Sequence, residues 1–98
     1  MTTKRLIIRP EAQRDIWEAA HWYEAQGPGL GARFTNTLDK LMKRITAFPL
    51  QFPAVEEEVR RALLHRFPYA VYFVIADDGI VVIAVLHQRR HPDTWKQR

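Results

Sequence analysis

The chain contains no cysteine, which excludes a disulfide framework, a thiolate nucleophile and a thiolate metal site. That absence agrees with a reducing cytoplasm. Long apolar runs are also missing. The longest, Tyr69 to Ala76 and Ile80 to Leu86, are split by Asp77-Asp78-Gly79, and neither approaches the roughly 20 residues of a membrane helix. The opening MTTKRLIIRPEAQRD has Leu6 to Ile8 as its apolar stretch, short of the about 7–15 residues of a secretory signal. A cytoplasmic protein without membrane contact is therefore expected. No tyrosine follows Tyr72, and there is neither an internal repeat nor a low-complexity segment.

What is present is ordinarily globular: 98 residues, 47% hydrophobic and 27% charged. This length predicts one domain, residues 1–98. A chain this short buries only roughly 60–65% of its unfolded surface, so a partner that adds buried area suits it. The net charge is +4 and the isoelectric point about 9.9, which points to an acidic partner, nucleic acid or an acidic protein segment. Four Arg and Lys stand against one Asp between Gln88 and Arg98, so most of the excess charge lies at one end. A solvated basic surface is the plainer explanation of the same numbers.

Leu6 to Ile8 reads as a short strand stopped by Pro10. Pro10 and Glu11 suit a helix start, and Ala12, Ile16, Ala19, Ala20 and Tyr23 keep helical spacing to Gln26. Gly27-Pro28-Gly29 breaks the chain. Leu30, Phe34, Leu38, Leu41, Ile45 and Phe48 then recur at steps of three and four, and Pro49 ends this second helix. A loop is expected from Phe52 to Glu58, holding Glu56-Glu57-Glu58. Strands follow at about Arg60 to Arg66, Tyr69 to Ala76 and Ile80 to His87, the last two joined by a hairpin turn at Asp77-Asp78-Gly79. The order β-α-α-β-β-β predicts an α+β fold with a helical hairpin on one face of a mainly antiparallel four-stranded sheet.

The chemistry-bearing residues gather around the strands. His65, His87 and His91 with Arg61, Arg66, Arg89 and Arg90 offer proton carriers and phosphate-matching cations. His87 and His91 share a four-residue spacing, but that spacing binds a metal from a helix, and Pro92 opposes one. No metal and no cofactor are expected. A strand-end histidine making one hydrogen bond is the simpler reading of His87, and His21 reads as a helix-surface residue. Arg60 and Arg61 point to opposite faces of a strand, so one of them is free to pair with Glu56, Glu57 or Glu58. Trp17 falls off the apolar stripe and is expected to be exposed, while Trp22 is expected in the core. Trp95 suits either a partner surface or packing of the tail on the sheet.

Three pieces coincide in order: a strand, helical hairpin and three-strand meander; Arg66-Phe67-Pro68-Tyr69 leading into Val71-Tyr72-Phe73; and His87-Gln88-Arg89-Arg90-His91-Pro92-Asp93-Thr94-Trp95. Together they resemble the RelE/ParE superfamily of bacterial type II toxin–antitoxin toxins, over essentially the whole chain. Phe48-Pro49 and Arg61 add to the likeness. The resemblance implies a growth-arresting toxin held by a cognate antitoxin that lies on its helices and sheet. It also implies one of two targets: messenger RNA in the ribosomal decoding site, as in the RelE branch, or DNA gyrase, as in the ParE branch. A nuclease would use His87, Arg61, Arg66 and Arg89 as its catalytic set. The RelE branch generally carries lysines where this chain has Glu56-Glu57-Glu58, and often a tyrosine near the C-terminus. The Arg-Arg-His-Pro-Asp and Trp tail is nearer the ParE branch, for which Arg66, Arg89, Arg90, His91 and Trp95 are the expected target contacts. Trp17, Arg60 and Arg61 are the expected antitoxin contacts. A degenerate member that only binds its antitoxin is a third possibility, and the oligomeric state is left open.

Overall fold

The structure is a computed structural model that describes residues 5–89 and Lys96. Strand β1 (Arg5–Ile8) leads into α1 (Pro10–Gln26) and α2 (Leu30–Ala47); a single 3-10 turn (Pro49–Gln51) precedes β2 (Ala54–Glu56), β3 (Val59–Leu63), β4 (Tyr69–Ala76) and β5 (Gly79–His87). Pro10 occupies the first turn of α1 with Glu11 beside it, where a missing N–H is harmless and a carboxylate meets the helix's positive end.

The two helices approach closely because Gly31 carries no side chain. A Cβ there would lie 2.8 Å from the Ala20 carbonyl oxygen. Gly29 turns the chain into α2 with φ +84°, a left-handed conformation that glycine adopts freely. No side chain of its own caps α2. Glu24 of α1 does so from across the hairpin: one carboxylate oxygen accepts the Gly29 N–H at 3.1 Å and the other the Gly31 N–H at 3.0 Å.

The sheet order is β1-β5-β4-β3-β2, with β1 parallel to β5 and every other pair antiparallel. The sheet thus has five strands where four were expected. The extra one, β2, lies in the stretch read as a loop, and pairs Ala54 with Arg60 and Glu56 with Val59. All three of its residues are exposed, so it carries no alternating pattern from which a strand is read; its charge suits an edge. At the other end β3 stops at Leu63 rather than Arg66. The Leu64 N–H donates to the Tyr69 carbonyl and the Tyr69 N–H to that of Phe67, which closes residues 64–68 into a turn.

Side chains of β4 alternate between two cores. Val71 and Phe73 join the helix-side core, which holds Phe34, Ile45, Ile80, Val82 and Val85. Ala70 and Tyr72 join Ile83, Ala84 and Leu86 on the opposite face. Tyr72 faces Ala84 while Phe73 faces Val82. The residue between, Ile83, is a bulge that lets β5 turn both Ile83 and Ala84 outward. Burying each large side chain contributes about 1.5–3 kcal/mol. Phe34 packs with Tyr23, Phe67 and Tyr69, ring centroids 5.2 to 5.4 Å from it, and so ties both helices to the β3–β4 turn.

Two aromatic expectations fail. Trp22 is 57% exposed and Phe48 55%. Trp22 lies one position, about 100°, around the helix from the core-facing Tyr23, enough to carry it out of the interface. Phe48 is no longer helical but the residue that ends α2, with φ −138° and ψ 59°.

Candidate functional site

The expected catalytic set is split, with Arg61 apart from His87. Arg61 pairs across the strands with Tyr72, which places it, exposed, on the face away from the helices. His87 pairs with Tyr69, a residue packed against the helix-side core, and the two rings meet edge to face at 5.3 Å. Arg61 and His87 therefore stand on opposite faces of the sheet. The His87 Nδ1 accepts the Arg89 N–H at 3.0 Å, the single local hydrogen bond expected of a strand-end histidine. His87 lines a cavity of about 210 Å³ with Asp15, Glu18, Trp22 and Tyr69.

Arg60 makes a hydrogen bond within the domain. It shares the helix-side face with its cross-strand partner Phe73 and donates from its guanidinium to the Phe52 carbonyl at 2.6 Å, fastening the segment that leads into β2. Among the described residues no ion pair joins Arg60 or Arg61 to the three glutamates. Glu56 instead meets Lys96 at 2.8 Å.

Arg66 and Arg89 do fall at one end of the sheet. The Gln88 N–H donates to the Pro68 carbonyl at 2.8 Å, so the residues after β5 lie beside the β3–β4 turn that holds Arg66. Arg66 takes a left-handed conformation, φ +69°, which costs a side-chain-bearing residue about 1–2 kcal/mol. Arg90, His91 and Trp95 lie outside the described residues.

Two features escaped the sequence reading. One is a groove of about 500 Å³ between α2 and the β3–β4 turn, lined by Thr37, Lys40, Leu41, Arg44, Leu63, His65 and Arg66. The spacing 37, 40, 41, 44 marks one side of α2, and only the meeting of that side with the turn is new. The other is that His21 joins Trp17 in one aromatic face on α1. Trp17 is 61% exposed, as expected, and the exposed His21 stacks on it with ring centroids 3.8 Å apart; its Nδ1 lies 2.9 Å from the Trp17 carbonyl. Among the described residues no group of three or more His, Asp or Glu is placed to share a metal, and no helix is long and apolar enough to cross a membrane. Among the described residues the Tyr23 pKa is raised, by burial first and then by the nearby Tyr69.

A small sheet with a helical hairpin on one face and basic residues at one end defines a compact α+β domain. The same fold occurs in a solved chain of the chromosomal ParDE TA system from P. aeruginosa. That chain matches with a TM-score of 0.77 and 18% identity, over 87% of this chain and 96% of the other. The model of the family described as "ParE toxin of type II toxin-antitoxin system, parDE" matches residues 6–92, and the chain belongs to that family, within the RelE/ParE superfamily. The protein called Toxin ParE2 in two strains of Mycobacterium tuberculosis, CDC 1551 / Oshkosh and ATCC 25618 / H37Rv, is 29% identical over 92 residues. That alignment covers 93% of this chain and 88% of the relative.

Proposed function

We propose that this toxin arrests bacterial growth by binding and inhibiting DNA gyrase in the cytoplasm, and that a cognate antitoxin neutralises it. The observation that carries the proposal is the ParE family match across residues 6–92. The placement of the side chains supports a protein-binding inhibitor over a nuclease. Metal-free RNA cleavage needs a base, an acid and a phosphate-binding cation around one phosphorus, and Arg61 and His87 face opposite ways. Inhibition through contact requires no cofactor.

In this proposal Arg66 and Arg89 touch the target from one end of the sheet, and Arg90, His91 and Trp95, which follow in the sequence, are further target contacts. The antitoxin meets Trp17 on α1 and Arg61 on the far face of the sheet. Contact with both requires a partner that wraps the domain, which suits an extended segment better than a rigid globule. Arg60, the third proposed antitoxin contact, has one guanidinium nitrogen engaged with the Phe52 carbonyl and meets the antitoxin with its remaining donors.

The test is controlled expression in a bacterial host with and without the antitoxin. Growth arrest that the antitoxin relieves supports the proposal. Unimpaired growth at full soluble expression marks a degenerate member that only binds its partner.

A further inference from the structure

We infer that the groove between α2 and the β3–β4 turn is the seat of an acidic, leucine-bearing segment of the antitoxin, an assignment that rests on the antitoxin reading above. Three of its seven lining residues, Lys40, Arg44 and Arg66, are cations, the polar His65 stands with them, and none is acidic. Among the described residues none of these four makes an ion pair, and Lys40, Arg44, His65 and Arg66 are all exposed. Cations gathered in a concave site repel one another and focus a positive potential there. An anionic partner relieves that repulsion.

The apolar lining decides which kind of anion. Leu63 is 53% exposed on the groove wall and Leu41 forms the buried floor. A bare phosphate gains nothing from either. A peptide that alternates carboxylates with leucine-sized side chains satisfies the cations and covers Leu63 together. The groove volume of about 500 Å³ falls within the range of about 300–1,000 Å³ usual for ligand sites, room for a few side chains of a docked segment. Arg66 belongs both to this groove and to the proposed target contact, so a segment seated here covers a residue the toxin needs for its target. Neutralisation then follows from occlusion.

The experiment compares toxin variants binding the antitoxin that co-purifies on co-expression, by calorimetry at several salt concentrations. The double variant Lys40→Glu with Arg44→Glu is expected to bind about 100-fold more weakly and with a flatter salt dependence. Lys43→Glu, the same kind of charge reversal at one position of the same helix away from the groove, is expected to stay within about threefold. Arg66→Gly removes a groove cation while relaxing the left-handed backbone. It is expected to raise thermal stability and still weaken binding about tenfold, a combination that unfolding does not produce. Equal affinity of wild type and the double variant overturns the groove assignment and leaves the antitoxin reading intact. Failure of any antitoxin to bind wild type overturns both. Loss of affinity for a labelled single-stranded oligonucleotide, with antitoxin binding unchanged, overturns the assignment in favour of nucleic acid.

Discussion

The Asp15 carboxylate accepts the backbone N–H of Val85 at 3.0 Å, closing a loop between the first helix and the last strand. Strand β1 pairs with β5 only from Gly79 to Val82, and the Arg9 N–H donates to the Val82 carbonyl just beyond it. Val85 is buried past the end of β1, where no strand takes its N–H. Asp15 supplies the missing acceptor. Asp15→Ala is therefore expected to cost about 1–3 kcal/mol. For a domain of this size each kcal/mol lowers the melting temperature by about 4–8 °C. Asp15→Asn keeps an acceptor oxygen and is expected to lose less. Calorimetric melting of the pair checks both, and equal melting of Asp15→Ala and wild type contradicts the role given to the carboxylate.

The cap that Glu24 places on α2 yields a second prediction. Its two oxygens satisfy two N–H groups at a helix start that has no cap of its own. Glu24→Ala is expected to destabilise by about 1 kcal/mol, the usual effect of losing an N-cap. Hydrogen exchange should quicken first in the opening turn of α2. Unchanged exchange at Gly31 and its neighbours contradicts it.

How much of this was legible in the chain varied by element. α2 was plain because Phe34, Leu38, Leu41 and Ile45 are buried in the pattern their spacing announces. α1 was half legible: Ala12 and Ala19 are buried as expected, but so narrow a stripe does not reveal that Trp22 lies beyond its edge. β2 was invisible because a short edge strand exposed on both faces has nothing to alternate. The charges of the candidate site were all readable. Their grouping was not: that Arg61 and His87 part across the sheet follows from register, and that Lys40 and Arg44 join Arg66 follows from packing between elements distant in sequence.

Tyr23 gives a pH prediction. Burial first, and the neighbouring Tyr69 second, raise its pKa above the ordinary 10.0. The folded state thus holds the phenolic proton more tightly than the unfolded chain. Above the unfolded pKa the native state binds more protons than the unfolded one, so stability falls as pH rises. The contribution is complete below about pH 10, the unfolded tyrosine value, and is lost as pH climbs through the folded pKa. Ultraviolet titration of phenolate should show a late-ionising component that Tyr23→Phe removes. A titration that Tyr23→Phe leaves unchanged above about pH 10 contradicts it.

The exposed aromatic face of α1 separates binding from folding. Trp17→Ala removes a ring that is 61% exposed, so stability is expected to change by no more than about 0.5 kcal/mol. A tryptophan central to a protein interface is worth about 2 kcal/mol or more on truncation, so antitoxin affinity should drop by more than about tenfold. Titration of the variant with antitoxin, beside a thermal melt, checks both halves. Retained affinity moves the antitoxin off this face.

Gyrase as the target is tested most directly by inducing the toxin without its antitoxin and scoring DNA breaks, SOS induction and reporter transcripts in one culture. Gyrase inhibition predicts breaks and SOS induction with transcripts intact, and their loss on Arg66→Ala together with Arg89→Ala at equal protein level. Transcripts cut at codon boundaries, with the chromosome unbroken, would contradict it and make the toxin a ribosome-dependent nuclease.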